Sequence, residues 1–135
     1  MLLSREFKGE VLGTFLLVLF GCGSVATSVL FNAYQGVIQI ALAWGIGVTL
    51  AIYLTRHLSC AHLNPAVTLA MVISKRMKLK KLPVYFTAQF LGAFIAGLTI
   101  YMLFNPSIEA YENAHKIVRG SIESVQTAKM FGEYY

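Results

Sequence analysis

The sequence predicts an all-α membrane protein with three spanning helices and one shorter helix that enters the membrane without crossing it. Three observations carry this. The chain has 135 residues, of which 57% are hydrophobic and 13% charged, with a mean hydropathy of +0.66. A soluble domain is about 45–50% apolar and about 25% charged, so this chain could not cover its own surface with polar groups. Three apolar stretches each reach the length of about 20 residues that a helix needs to cross about 30 Å of hydrocarbon. A fourth apolar stretch, Leu63 to Ser74, is too short for that and begins with a helix-start signal.

The first span is expected over about 10–31, with no charge between Val11 and Phe31. A signal peptide also places a basic residue, here Lys8, before an apolar run, and Leu19-Phe20-Gly21-Cys22 resembles a lipoprotein cleavage box. The bulky Phe20, the length of the run and the two spans that follow favour a membrane helix. The second span is expected over about 37–55 and the third over about 82–104. Between these two, Asn64 is a good N-cap and Pro65 suits the first helical turn, where its missing N–H is not needed. A half-length helix is therefore expected over about 65–75, re-entrant rather than spanning. Residues 105–135 read as a loop outside the membrane.

The basic residues set the orientation. Arg5 and Lys8 precede the first span, and Arg56, Lys75, Arg76, Lys78, Lys80 and Lys81 lie between the second and third. Eight of the eleven Lys and Arg residues fall at these two places. The link between the first two spans, Asn32 to Gly36, has none. The positive-inside rule then puts the N-terminus in the cytoplasm and the tail after Phe104 outside. In that tail Lys116, Arg119 and Lys129 are balanced by Glu109, Glu112, Glu123 and Glu133. The net charge of +5 is thus a topology determinant facing anionic lipid, not a nucleic-acid surface, since no groove-reading motif accompanies the basic run at 75–81.

Cys22 and Cys60 lie in apolar stretches without disulfide or metal spacing and read as small packing residues. His57, His62 and His115 form no ligand-spaced cluster, so neither a metal nor a cofactor is expected. No paired carboxylates, Ser/His/Asp set or phosphate loop is present, which argues against an enzyme. Gly9 and Gly13, Gly92 and Ala96, Ala93 and Gly97, and Ala41 and Gly45 are each four apart. That spacing lets helix backbones approach closely in lipid.

A few polar residues stand where polarity is costly. Glu10 is at the start of the first span and Gln89 is inside the third. An ionisable group in a span is a functional candidate, although Glu10 could also be a solvated first-turn residue favoured by the helix dipole. Residues Ser59 to Leu63 are non-helical at membrane depth, which is tolerated only where backbone is buried in protein or lines a water-filled cavity. Their carbonyls should face either a pore or buried donors, with Glu10 and Gln89 supplying the remaining hydrogen bonds. A half-helix starting at mid-membrane aims about half a positive charge there. Next to a ladder of carbonyls, this suits neutral hydrogen-bonding solutes and disfavours cations.

The stretch Ser59-Cys60-Ala61-His62-Leu63-Asn64-Pro65-Ala66-Val67-Thr68 resembles the first Asn-Pro-Ala loop of the aquaporin and glycerol-facilitator family. Glu10 with Gly13-Thr14-Phe15, Trp44-Gly45, and Ala88-Gln89-Phe90-Leu91-Gly92-Ala93 resemble the family's first three spans. The run from His115 to Val125 is similar to the outer loop of bacterial glycerol facilitators, and Trp44 stands where glycerol channels carry an aromatic filter wall. The resemblance implies an aquaporin-like half repeat and passive diffusion of glycerol, water and small neutral polyols. It implies that Asn64 donates its amide to the solute, that the carbonyls of Cys60, Ala61, His62 and Leu63 accept from passing hydroxyls, and that Trp44 meets the solute's carbons. Glu10, Pro65, Ala66 and Gln89 would support the re-entrant loop. Family members are homotetramers in the plasma or inner membrane.

The chain departs from the family at Cys60, where bacterial members commonly have glycine, and at the charged Arg56 and His57. The family fold needs two inverted repeats meeting at midplane. This sequence supplies one, without the second Asn-Pro-Ala or the filter arginine, so it is expected to be an N-terminal half that does not conduct alone. The alternatives are a half-channel assembling with full-length subunits or a separately encoded second half, and an unrelated membrane anchor.

Overall fold

A computed structural model of the chain describes residues 4–33 and 36–132; residues 34 and 35 of the first link and Glu133 of the tail lie outside the described residues. Among the described residues all regular structure is helical: α1 (Arg5–Phe31), α2 (Val37–Thr55), α3 (Pro65–Ile73), α4 (Leu82–Ala114) and the short α5 (Val125–Ala128). The three long helices have the length and apolarity to cross a membrane. The protein is thus a multi-pass membrane protein.

Two boundaries differ from the sequence expectation because hydropathy marks the lipid-facing part of a helix, not its hydrogen-bonded length. α1 starts at Arg5 rather than near residue 10, because Ser4 caps it by accepting from the Phe7 N–H at 3.1 Å. α4 continues ten residues past the expected end at 104, to Ala114, through Pro106. A proline inside a helix removes one backbone hydrogen bond. Here it falls just past the apolar run, so the carbonyl it frees, that of Met102, lies in the last turn of that run.

α1 is the central helix, with α2 on one side and α4 on the other, while α3 packs against α4. Small residues make the α1–α4 crossing close. A Cβ on Gly92 would stand 2.4 Å from the Val11 carbonyl oxygen and 3.1 Å from the Phe15 nitrogen. One on Gly13 would meet the Leu63 side chain at 2.3 Å, and one on Gly9 would meet Ser59 at 2.9 Å. The expected small-residue contacts are therefore real for Gly9, Gly13, Gly92 and the buried Ala96. They do not hold for Gly45 and Gly97, where a Cβ would meet nothing within 4 Å. Among the described residues, Gly45 is exposed and Gly97 borders a cavity, so neither touches a neighbouring helix at its Cβ position.

The segment after α4 folds back instead of trailing away. Ile108 and Met130 join Ala26 and Ile100 in a buried cluster at the end of the bundle away from Arg5. Glu112, only 7% exposed, accepts from Arg119 Nε at 2.8 Å and from the Thr127 hydroxyl at 2.9 Å. The Glu112 carboxylate, with the Tyr101 hydroxyl behind it, raises the Arg119 guanidinium above its ordinary value. What the sequence presents as a loop is thus clasped to α4 by one half-exposed ion pair.

The two glycine environments predict different outcomes. Gly92→Leu forces backbone apart at the α1–α4 crossing and should lower stability by about 1–3 kcal/mol, while Gly97→Ala should stay within about 0.5 kcal/mol of the parent. Denaturant titration of the two variants in mild detergent checks this.

Candidate functional site

The residues singled out in the sequence meet around one buried carboxylate. Glu10 is fully buried on the second turn of α1, so it is not the solvated first-turn residue that remained an option. Its Oε1 accepts from the Ser59 hydroxyl at 2.7 Å and from the His62 N–H at 3.0 Å. Its Oε2 accepts from the Leu63 N–H at 2.8 Å and from Gln89 Nε2 at 2.7 Å. Four donors on one carboxylate match its acceptor capacity.

These bonds determine where the carbonyls point. In a trans peptide the C=O lies opposite the N–H, and among the described residues there is no cis bond. The His62 and Leu63 N–H groups aim at Glu10, so the Ala61 and His62 carbonyls aim away from it. The Ala61 N–H turns inward to the Ser59 hydroxyl at 2.9 Å, so the Cys60 carbonyl also faces outward. The backbone achieves this with Ala61 at φ 48° and Leu63 at φ 54°, a left-handed region that is uncommon for residues other than glycine. Such strain persists only where the surroundings over-determine it. Here Leu63 is anchored by its N–H on Glu10 and its side chain on Gly13.

α3 starts at the end of this ladder. Asn64 is the N-cap, and its Oδ1 accepts from the Ala66 N–H at 2.8 Å, with Pro65 in the first turn. Because the backbone N–H is a donor, the cap must use the oxygen. That leaves the Asn64 Nδ2 hydrogens on the exposed side of the loop, available to an acceptor. Thr68, one turn on, is fully buried and its hydroxyl donates to the Asn64 carbonyl at 3.0 Å. It accepts from Gln89 Nε2 at 2.9 Å, and His62 Nδ1 lies 3.1 Å away. α3 ends at Ile73 rather than at 75, because Lys75 turns left-handed at φ 59° and the Arg76 and Met77 N–H groups fold back onto the Met71 carbonyl.

Gln89 thus ties α4 to both α1 and α3 through one amide nitrogen. Two members of the cluster were not apparent in the sequence. One is Thr68. The other is Tyr85, fully buried, whose hydroxyl accepts from the Cys60 N–H at 3.3 Å and whose ring lies 5.0 Å from that of His62. The available signal was spacing: Tyr85, Gln89, Gly92 and Ala96 fall at three- and four-residue intervals on one face of α4.

Trp44 stands apart. Its indole lies over Gly21, where a Cβ would be 2.4 Å from the ring. It lines a cavity of about 450 Å³ with Cys22, Ile40, Ala93 and Met130, roofed by the folded-back tail. Cys60 is exposed with a free thiol. Arg56, with its guanidinium 4.7 Å above the Tyr53 ring, and His57, whose carbonyl accepts from Arg5, sit at the basic end rather than in the cluster.

Three helices long and apolar enough to cross a membrane, with a short helix that starts after a ladder of outward carbonyls, define a helical multi-pass membrane protein. The chain belongs to the major intrinsic protein family, whose model matches residues 1–132. It is 44% identical over 125 residues to the glycerol uptake facilitator protein of Pseudomonas aeruginosa, covering 93% of this chain and 45% of that one. It is 40% identical over 132 residues to the propanediol uptake facilitator of Salmonella typhimurium, covering 98% and 50%. Its fold is similar to the aquaglyceroporin from Plasmodium falciparum, with a TM-score of 0.75 at 40% identity over 78% of this chain and 44% of that chain. The chain spans about half the length of the relatives it matches.

Replacing Glu10 by Gln keeps the shape but offers one acceptor oxygen and a donor group to four donors. A buried donor left unpaired costs about 1–3 kcal/mol. Glu10→Gln should therefore lower stability by at least about 2 kcal/mol. Hydrogen exchange should show the His62 and Leu63 amides losing protection before those of α1.

Proposed function

We propose that this chain supplies the first repeat of a passive channel for glycerol, water and small neutral polyols, and that it conducts only when a second repeat completes the pore. The observation that carries this reading is the loop geometry: three outward carbonyls from Cys60, Ala61 and His62, followed by the free amide hydrogens of Asn64. A polyol hydroxyl both donates and accepts. It can give its hydrogen to a carbonyl and take one from Asn64, replacing the water it sheds. The half-helix dipole, about half a positive charge at Asn64, disfavours cations on the same path. Leu63 would extend the ladder by its own carbonyl, and Trp44 would offer an apolar wall to the solute's carbons in the outer cavity. Glu10, Pro65, Ala66 and Gln89 support the loop.

Relatives named for glycerol and propanediol uptake support a small polyol as solute. The working unit proposed is a homotetramer in the plasma or inner membrane, with the N-terminus and the basic 75–81 segment in the cytoplasm. A related reading is that the chain assembles with full-length subunits or with a separately encoded second repeat, either of which could cover its exposed apolar faces. Ile38 is 76% exposed and Phe94 70%.

Stopped-flow light scattering on proteoliposomes tests this. The chain alone should give glycerol flux no higher than empty vesicles. The chain joined to the second repeat of the Pseudomonas aeruginosa relative should conduct, and Asn64→Leu in that fusion should cut flux by about tenfold, the equivalent of one lost hydrogen bond. Flux from the chain alone at the fusion's rate would overturn the half-pore claim. A folded fusion without flux would overturn the channel itself.

A further inference from the structure

The outer surface between α1 and α4 carries a groove of about 360 Å³ lined by Lys8, Val11, Leu12, Phe15 and Ile95. The four α1 residues are spaced at intervals of three and four, so they form one stripe on the helix. The stripe rises about 10 Å from Lys8 at the basic end to Phe15 inside the span. Apart from Lys8 every lining residue is apolar. Lys8 is exposed and, among the described residues, has no ion pair.

The surroundings of Lys8 favour an anion. Arg5 reaches the His57 carbonyl at 3.4 Å, and Glu6 pairs with Lys81. These contacts bring the start of α1, the end of α2 and the 75–81 segment together at one end of the bundle. Arg56, Lys75, Arg76, Lys78 and Lys80 are all exposed there, and Glu6, the acidic residue among them, is already paired. Two other apolar grooves, one on α2 around Leu42 and Ile46 and one on α4 around Phe94 and Leu98, carry no charged residue.

We propose that this groove holds one anionic phospholipid, with its phosphate on Lys8 and one acyl chain along Val11, Leu12, Phe15 and Ile95. A lysine at the level where hydrocarbon meets headgroups extends its ammonium toward the interface while its methylenes stay on the apolar wall. A single negative headgroup meets that ammonium inside a positive field, since Glu6 is paired with Lys81 and Glu10 is buried among its four donors. A headgroup without net charge gains less, and a free phosphate lacks the chain that fills the groove. The inference depends on residence in the membrane and not on conduction.

Native mass spectrometry of the 135-residue chain released from mild detergent tests it, with phosphatidylglycerol and phosphatidylcholine of identical acyl chains as probes. The parent chain should retain one phosphatidylglycerol in preference to phosphatidylcholine, and glycerol phosphate should not displace it. Lys8→Gln should reduce that preference about fivefold, the worth of one interfacial lysine, while Lys78→Gln should leave it unchanged. Ile95→Trp, which fills the groove, should weaken both lipids together. Equal retention of the two lipids by the parent would overturn the proposal. So would equal loss in Lys8→Gln and Lys78→Gln, which marks diffuse attraction to the basic end. A lipid-free dimer that phosphatidylglycerol does not dissociate would also overturn it, by assigning the groove to a second copy.

Discussion

The carboxylate of Glu10 is the constraint on which the rest of the structure depends. A charge buried at membrane depth is tolerated only if its lone pairs are occupied. Here they are occupied by donors from the loop and from α4. Two of the four are backbone N–H groups of consecutive residues, His62 and Leu63. Drawing both inward holds the backbone in a left-handed conformation at Ala61 and Leu63. The same bonds turn the carbonyls outward. A buried anion on one side of the loop thereby creates a row of acceptors on the other.

The packing around this carboxylate is arranged to let it reach the loop. Glu10 lies between Gly9 and Gly13, and both glycines are where the loop presses on α1. A side chain at either would push Ser59 or Leu63 away from the carboxylate. Gly92 does the same for α4, so that Gln89, three residues earlier, can span from Glu10 to Thr68. Small residues in these helices are thus the condition under which one carboxylate can be satisfied from two other segments.

Much of this was legible in the sequence. The three spans follow from hydropathy, and the start of the half-helix follows from Asn64 and Pro65. Glu10 and Gln89 stood out because lipid makes polar groups conspicuous. Tyr85 and Thr68 did not, since each is ordinary in a membrane helix and acquires a role only when its neighbours are in place. Helix ends were less legible than helix existence. Ser4 extends α1 outward by a capping bond, and α4 runs past a proline because its last turns lie beyond the apolar stretch. The packing of the tail through Glu112, Arg119 and Thr127 depends on a chain reversal that no local pattern announces. Gly45 and Gly97 mark the limit of such spacing: it signals a possible close approach, and among the described residues neither meets a partner.

The most direct test of the account is a distance measurement at the carboxylate, in a lipid bilayer. Solid-state NMR dephasing between a ¹³C-labelled Glu10 carboxyl carbon and ¹⁵N-labelled backbone amides reads it without any substitution. The account predicts strong coupling to the His62 and Leu63 nitrogens, at about 4 Å as two direct hydrogen bonds require, and none to the nitrogen of Val67. Absence of coupling to either His62 or Leu63 would contradict it, because the orientation of the carbonyl ladder would then have no cause.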